Sequence, residues 1–412
     1  MCLGGRNVTG PKRIIRSNCK RIIRLTCKRM MGKLFLVNPL DYPLLHLGYL
    51  LSEEGTRDLR LWDEAVRAEP PFQPIRWHMA LARYLRSATV TASTRIEGNP
   101  MSLTQVDALL QGERVDAPAI AQLENVNYNN ALDLATTFAL TPDFEWSETI
   151  IRALNHTIMR NLPDDRQGRY REEPVSVAGF YSAPEHPTVS RLMHNLIAWL
   201  RDSEDEHPLI RAALLHLNMV AIHPFLDGNG RTARIVCSLE MMRSRVGAPE
   251  LISVEPYLAE HRDEYFKRLA ATLGPSYQPD RHDATPWVQY YVRLSAGRLE
   301  LEARLREALP LDVGSINQGL EQAGEPLSWG WLIHWASVTP IRTRQVAGAL
   351  HRSMPNARAL LGAMNGAGWL RREGRTRGAV YHPGERLLAL DLRTPVIVER
   401  YVHGDTLGLD GG

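Results

Sequence analysis

Cysteine is scarce: there are four in 412 residues, and Cys2, Cys19 and Cys27 crowd into the start of the chain. That excludes a disulfide framework, and the lack of any Cys-x-x-Cys pair excludes a thiolate metal knuckle. The fourth, Cys237, lies in an apolar stretch and is expected in the core. Long apolar runs are missing too. The richest, Leu34 to Leu51, is broken by Pro39, Asp41, Pro43 and His46, whereas a membrane-spanning helix needs ~20 apolar residues. No membrane span is expected. No continuous apolar h-region opens the chain, so a secretory signal is not expected and a reducing cytoplasm fits. Acidic residues are absent from positions 1–33, which hold ten Lys or Arg. The net charge of +3 therefore conceals a body of −7.

What is present describes a folded, mainly α protein. With 44% hydrophobic and 23% charged residues the chain is globular rather than disordered, and its length suits two or three domains. Residues 1–33 repeat Lys-Arg-Ile-Ile-Arg at 12–16 and 20–24. Such a stretch suits a membrane-surface or nucleic-acid-binding helix, but a disordered basic tail is the plainer expectation. A helical segment follows over 34–112, with its longest run from Trp77 to Ile96, stopped by Gly98 and Asn99-Pro100. Residues 113–275 form the expected core. Its helices cover Ala117–Ala139, Glu148–Arg160, Val189–Trp199, Pro208–Ile222, Arg231–Val246 and Pro256–Leu273. A change of period at 171–181 predicts a short β-hairpin flap among them. A Pro- and Asp-rich linker and a long helix, Trp287–Leu309, occupy 276–327. Over 328–392, helices at Trp329–Ser337, Thr343–Ser353 and Asn356–Ala367 precede a basic hairpin carrying Arg371, Arg372, Arg375 and Arg377. That order resembles a winged helix. Residues 393–412 close the chain as a tail.

Chemistry concentrates in His223-Pro224-Phe225-Leu226-Asp227-Gly228-Asn229-Gly230-Arg231-Thr232-Ala233-Arg234. An apolar helix arrives at His223, two glycines flank Asn229, and a second helix starts near Arg231. Glycines let backbone N–H groups turn inward as a nest, and a helix start adds unsatisfied donors and a positive dipole end. Arg231 and Arg234, three apart, share a helix face and stay charged, able to grip phosphate oxygens. Asp227 offers a hard oxygen ligand for Mg²⁺. His223 is the nearby group that takes a proton near neutral pH. Each feature alone has a bland explanation: a plain turn, a core histidine, surface ion pairs. Their coincidence over twelve positions points to a phosphate site.

This segment resembles the signature of the Fic family, His-x-Phe-x-(Asp/Glu)-Gly-Asn-Gly-Arg-x-x-Arg, at every specified position. The flap near 171–185 and the helices from about 75 to 270 resemble the family's arrangement, a helical bundle to which a winged helix is a common appendage. The resemblance implies transfer of AMP from ATP to a Ser, Thr or Tyr hydroxyl of a target protein. His223 would then be the general base and Asp227 the Mg²⁺ ligand. Gly228, Asn229 and Gly230 would form the anion hole. Arg231 would contact the phosphates and Arg234 the γ-phosphate. Phe225 would anchor the loop and Pro224 stiffen it, and the flap would hold the target by adding a strand to it.

Ser93-Thr94-Arg95-Ile96-Glu97-Gly98 resembles the family's inhibitory motif, (Ser/Thr)-x-x-x-Glu-(Gly/Asn). Ser93 and Glu97 share a helix face. A carboxylate at a helix C-terminus is disfavoured by ~0.3–1 kcal/mol, a cost that a positive partner offsets. The resemblance implies that this partner is Arg234, whose occupation would keep ATP in an unproductive pose. Some relatives also use the glutamate to orient water and remove AMP. Weaker signals are Tyr265, expected either at the nucleoside pocket or packed in its helix, and a polar loop with Glu204, Asp205 and His207. Arg342, Arg344 and Arg352 add to the basic hairpin, so DNA binding through 328–392 stays open beside a homodimer or target contact. Two rival functions remain: a DNA-binding regulator with a secondary catalytic core, and a Fic-type enzyme that transfers another group such as UMP or phosphocholine.

Overall fold

The computed structural model describes residues 45–68, 76–163, 166–177, 179–244, 253–279, 283–374 and 378–404. The basic tail, Ala178 of the expected flap, Arg375 and Arg377 of the hairpin, and residues 405–412 lie outside the described residues.

The centre of the molecule is a mostly apolar helix. In α7 (Pro208–Ile222) every residue from Leu209 onward is buried, and its polar side chains Arg211, His216 and Asn218 are hydrogen-bonded there. Pro208 sits where its missing N–H costs nothing, and the ring nitrogen of His207 accepts the Leu209 N–H. Before α7 the chain forms α1 (Glu53–Ala68), α2 (Arg76–Ile96), α3 (Leu103–Leu110), α4 (Ala119–Leu140), α5 (Glu148–Met159) and α6 (Val189–Asp202), the last of which packs on α7. Antiparallel β1 (Ser176–Val177) and β2 (Tyr181–Ser182) form the expected flap between α5 and α6. After α7 comes α8 (Asn229–Arg243), packed on α7 along one side and on α4 and α5 along the other. The start of α3 is fixed by a capping box in which Ser102 and Gln105 exchange hydrogen bonds.

Two expected helices differ in outcome. Pro256–Leu273 is not one helix but two, α9 (Glu255–Glu260) and α10 (Arg262–Leu273), broken at His261 with φ −105 and ψ 40. The break follows from partners outside the helix: Arg95 pairs with Glu260, Arg262 Nε donates to the Ile96 carbonyl at 2.8 Å, and Tyr257 stacks on His261. These contacts draw the junction onto the end of α2. The other is α11 (Thr285–Gln322), which runs through Pro310 instead of stopping at Leu309. A mid-helix proline removes one hydrogen bond and clashes with the preceding turn. Burial of Ile316 and Leu320 beyond it, with Asp312 accepting from the N–H groups of Arg393 and Thr394, outweighs that penalty.

Beyond α11 lies a second small core. It is built from α12 (Gly330–Val338), β3 (Ile341–Arg342), α13 (Thr343–Leu350), α14 (Met354–Gly366), β4 (Leu370–Glu373), β5 (Val380–Pro383) and α15 (Glu385–Leu388). The three strands are antiparallel in the order β3-β5-β4, with Ile341 opposite Tyr381 and Leu370 opposite Pro383. Trp369, 2% exposed, lies so close to Gly319 of α11 that a β-carbon there would come within 2.7 Å of its ring. The final helix, α16 (Thr394–Val402), turns back to α11. A third apolar cluster joins the pieces: Leu81 and Leu85 of α2, Leu301 and Leu305 of α11, and Val398 and Tyr401 of α16.

Candidate active site

The loop from α7 to α8 owes its shape to a few local ties. His223 terminates α7 in the left-handed region (φ 48), unusual for a side chain with a β-carbon. Gly228 (φ 75) then precedes α8, and no side chain caps that helix start. A β-carbon at Gly228 would approach Met159 Sδ to 2.8 Å and Asn155 Nδ2 to 3.1 Å, so α5 packs directly beneath it. Phe225, 1% exposed, stacks at a tilt on Tyr170 and roots the loop in the core. Asn229 bonds both polar atoms of its side chain to the Phe225 backbone, at 2.9 and 2.8 Å. Its amide therefore shapes the loop. What the Gly228-Asn229-Gly230 stretch offers an anion is backbone N–H at the uncapped helix end.

Both arginines are buried and engaged. The Arg231 side chain is 4% exposed and pairs with Glu124 at 3.1 Å and Asp227 at 3.4 Å. Arg234 is 1% exposed: Nε donates to Ser93 Oγ at 2.7 Å, and Nη2 donates to the Ser93 carbonyl at 2.9 Å and to Glu97 Oε1 at 2.8 Å. Glu97 Oε1 stands over the Cα of Gly230, where any β-carbon would collide with it. A carboxylate thus occupies the first turn of α8, beside the uncapped N–H groups. Arg231 Nε and Arg234 Nη1 are buried with no hydrogen-bond partner among the described residues, a costly state that an incoming anion would relieve. Burial opposes ionisation of Glu97, but Arg234, then Arg231 and His223, more than offset it and hold its carboxyl below the usual range.

His223 is poised as a neutral base. Burial lowers its pKa to about 4; the Val220 carbonyl opposes the shift, and Arg171 adds to it. Its Nδ1 lies 3.3 Å from the Val220 carbonyl. A carbonyl only accepts, so Nδ1 carries the proton and Nε2 holds the lone pair. Asp227 is exposed at the mouth of the site, with Oδ1 accepting from the Gly228 N–H at 2.5 Å.

The structure thus brings His223, Asp227, the glycine turn, both arginines, Ser93 and Glu97 into one place. Two participants went unread in the sequence. Glu124, on α4, bridges Arg231 and Asn99, just past Glu97. Asn155, on α5, donates to the Asp227 carbonyl at 3.1 Å and Thr232 Oγ1 at 3.2 Å and accepts from Gly168 N–H. Neither stands near the signature in sequence, so spacing offered no signal. Tyr265 is a packed tyrosine, 2% exposed, bonded to His216 Nε2 at 2.9 Å behind Arg234. His207 caps α7 and pairs with Asp63 at 3.2 Å, and no group of three or more His, Cys, Asp or Glu suited to a metal occurs among the described residues. Arg342 pairs with Glu113 at 2.7 Å, and Arg344, which stays exposed, donates to the Gly112 carbonyl at 3.0 Å.

Fold and site together define a helical protein with an anion cradle at a helix start, a neutral histidine at its lip and an acidic side chain seated inside it. Residues 145–241 match the Fic/DOC family model. Protein adenylyltransferase fic-1 of Caenorhabditis briggsae is 31% identical over 260 residues, covering 61% of this chain and 48% of the relative. Protein adenylyltransferase Fic of Drosophila erecta is 28% identical over 242 residues, covering 57% and 46%. The chain spans about half the length of these curated relatives. A crystal structure of a Fic family protein from Desulfovibrio desulfuricans G20 shares the fold, with a TM-score of 0.55 at 22% identity over 82% of this chain and 98% of that one.

Proposed function

We propose that the protein is an adenylyltransferase that moves AMP from ATP to a hydroxyl of a target protein, and that Glu97 restrains it. The observation that carries the reading is the seat of Glu97. A carboxylate already fills an anion site made of the helix start and Arg234, at the far end of the loop that begins with His223. The names of the curated relatives support the choice of adenylyl transfer over other transferred groups.

In the proposed reaction the target hydroxyl oxygen bonds to the α-phosphorus of ATP. His223 Nε2 takes the hydroxyl proton, and the bond from the α-phosphorus to the α,β-bridging oxygen breaks to release pyrophosphate. Positioning and charge stabilisation carry most of such a reaction. The backbone N–H groups of 228–230 would receive phosphate oxygens, Arg231 would neutralise them, and Arg234 would reach the γ-phosphate once Glu97 leaves. Asp227 suits Mg²⁺: it is an exposed hard oxygen beside the cradle, and Mg²⁺ commonly takes one carboxylate with phosphate oxygens. When bound, the ion would offset the triphosphate charge. The flap would hold the target segment along an edge strand.

The unit over 328–392 is proposed to be a winged helix that serves as a contact surface. The pairing of Arg342 with Glu113 reduces the unit's positive charge toward DNA. No described helix is long and apolar enough to cross a membrane, and the buried free thiol of Cys237 accords with the cytoplasmic location proposed here. The deciding experiment is incubation of wild type, Glu97→Gly and His223→Ala with α-labelled ATP and cell lysate. Label on protein bands with Glu97→Gly and none with His223→Ala is expected; no label with any form would refute the reading. Mass spectrometry of a labelled band must show the mass of AMP.

A further inference from the structure

Arg171 is the most heavily bonded side chain near the site. It is 3% exposed, and every acceptor of its guanidinium is a backbone carbonyl. Nε donates to His223 O at 2.8 Å. Nη2 donates to Pro184 O at 2.5 Å and, more weakly, to Ile222 O at 3.4 Å. Nη1 donates to Glu173 O at 2.9 Å, and the backbone N–H of Arg171 donates to Pro224 O at 2.9 Å. These acceptors form two sets. Ile222, His223 and Pro224 are the end of α7 and the start of the loop that carries the base. Glu173 and Pro184 bracket the hairpin formed by β1 and β2. One side chain thus closes the root of the flap and ties it to the peptide groups of His223.

A buried charge is costly unless its donors are satisfied. Here the negative end of α7 and four carbonyls satisfy it, an arrangement that packing alone does not demand. A guanidinium presents its donors in a fixed planar fork, so the angles among the carbonyls are set as well as their distances.

Resting on the adenylyl-transfer reading, we infer that Arg171 is a positioning residue that holds the flap in register with His223. A target hydroxyl carried by a strand added to the flap is thereby brought to Nε2 at the right offset. Arg171 touches neither nucleotide nor hydroxyl in this account; it acts through the backbone of both partners.

The test compares Glu97→Gly with Glu97→Gly/Arg171→Ala, both as full chains. The acceptors are a second, silent His223→Ala copy and a cell lysate, and α-labelled ATP is the donor. Misplacing reacting groups by about 1 Å costs on the order of 100-fold in rate, so transfer should fall by about that factor. ATP affinity measured by calorimetry should stay within about twofold, since the cradle keeps its own ties. Added guanidinium ion should restore at least about a tenth of the lost rate, and Arg171→Lys, which lacks the fork, should remain slow. Equal transfer with and without Arg171 would overturn the inference. So would a loss of ATP binding as large as the loss of transfer, or the absence of guanidinium rescue. If Glu97→Gly labels no acceptor, the adenylyl-transfer reading itself fails, and amide hydrogen exchange then decides the clamp. Arg171→Ala must speed exchange in the flap (174–183) and in the loop (223–228) together; acceleration of one alone, or of neither, would refute it.

Discussion

Glu97 and Glu124 each hold one arginine from the first turns of α8, yet they differ in what they can release. Glu124 sits on α4 and bonds Asn99 as well, so it belongs to a fixed network. Glu97 ends a helix, is followed by Gly98 at φ 96, and keeps 34% of its side chain accessible. Replacing Glu97 by Gly is expected to raise adenylyl transfer by about 5- to 150-fold, the span of typical coupling energies between competing ligands, as read by label incorporation per enzyme. The imidazoles set the pH response. His216 and His223 titrate near 3 and 4 in the folded protein against 6.5 for a free imidazole, chiefly because burial disfavours their charge. The unfolded chain therefore takes up these protons first as pH falls below 6.5. The stabilising effect of keeping the rings neutral is full above that value and declines down to the folded pKa. For His216, 1% exposed, the loss at pH 5 amounts to about 2 kcal/mol, to be measured by urea unfolding at pH 7 and pH 5. Transfer itself should be flat above about pH 6 and fall as pH approaches 4. At this scale the candidate site was largely legible. Its residues lie within twelve positions, and the helix period places Ser93 and Glu97 on one face. Glu124, Asn155 and Arg171 were illegible because only tertiary packing brings α4, α5 and the root of the flap to the loop.

Glycine positions separate the forces that act on the helices. In α11, Gly319 faces the Trp369 ring, while at Gly314 an added β-carbon would meet nothing within 4 Å. Gly319→Ala is expected to cost about 1–3 kcal/mol through overpacking. Gly314→Ala should stabilise by about 0.5–1 kcal/mol through helix propensity alone. Thermal unfolding of the two variants, with opposite signs of the Tm shift, checks both. The same helix shows why the expected end at Leu309 failed. Pro310 is a strong local stop signal, but Ile316 and Leu320 are buried residues of another core, a fact absent from local pattern. The opposite case is α7, whose boundaries were readable because a proline, an apolar run and the signature histidine mark them without help from tertiary contacts. The break at His261 was hidden since its causes, Ile96 and Arg95, belong to a distant helix.

Across the whole molecule, α2 connects two places with different duties. Twenty-one residues at 1.5 Å each make it about 30 Å long. Leu81 and Leu85 lie in its first half, in the cluster shared with α11 and α16, α12 packs alongside, and Ser93 and Glu97 meet Arg234 at its C-terminal end. Leu85→Ala is expected to lower stability by about 2–5 kcal/mol and, by loosening the packing of that half, to raise label transfer. In a Glu97→Gly background the same change should leave transfer unaltered, and the double-mutant comparison reads the coupling. The run of helices followed by a hairpin over 328–392 was legible from its helix periods and its basic turn. The contacts of Arg342 and Arg344 were not, because Glu113 and the Gly112 carbonyl, their partners, lie more than two hundred positions away in sequence. Because one continuous helix carries both contacts, Glu97 can leave Arg234 in only two ways: the last turn unwinds, or α2 shifts as a body and drags Leu81 and Leu85 against their neighbours.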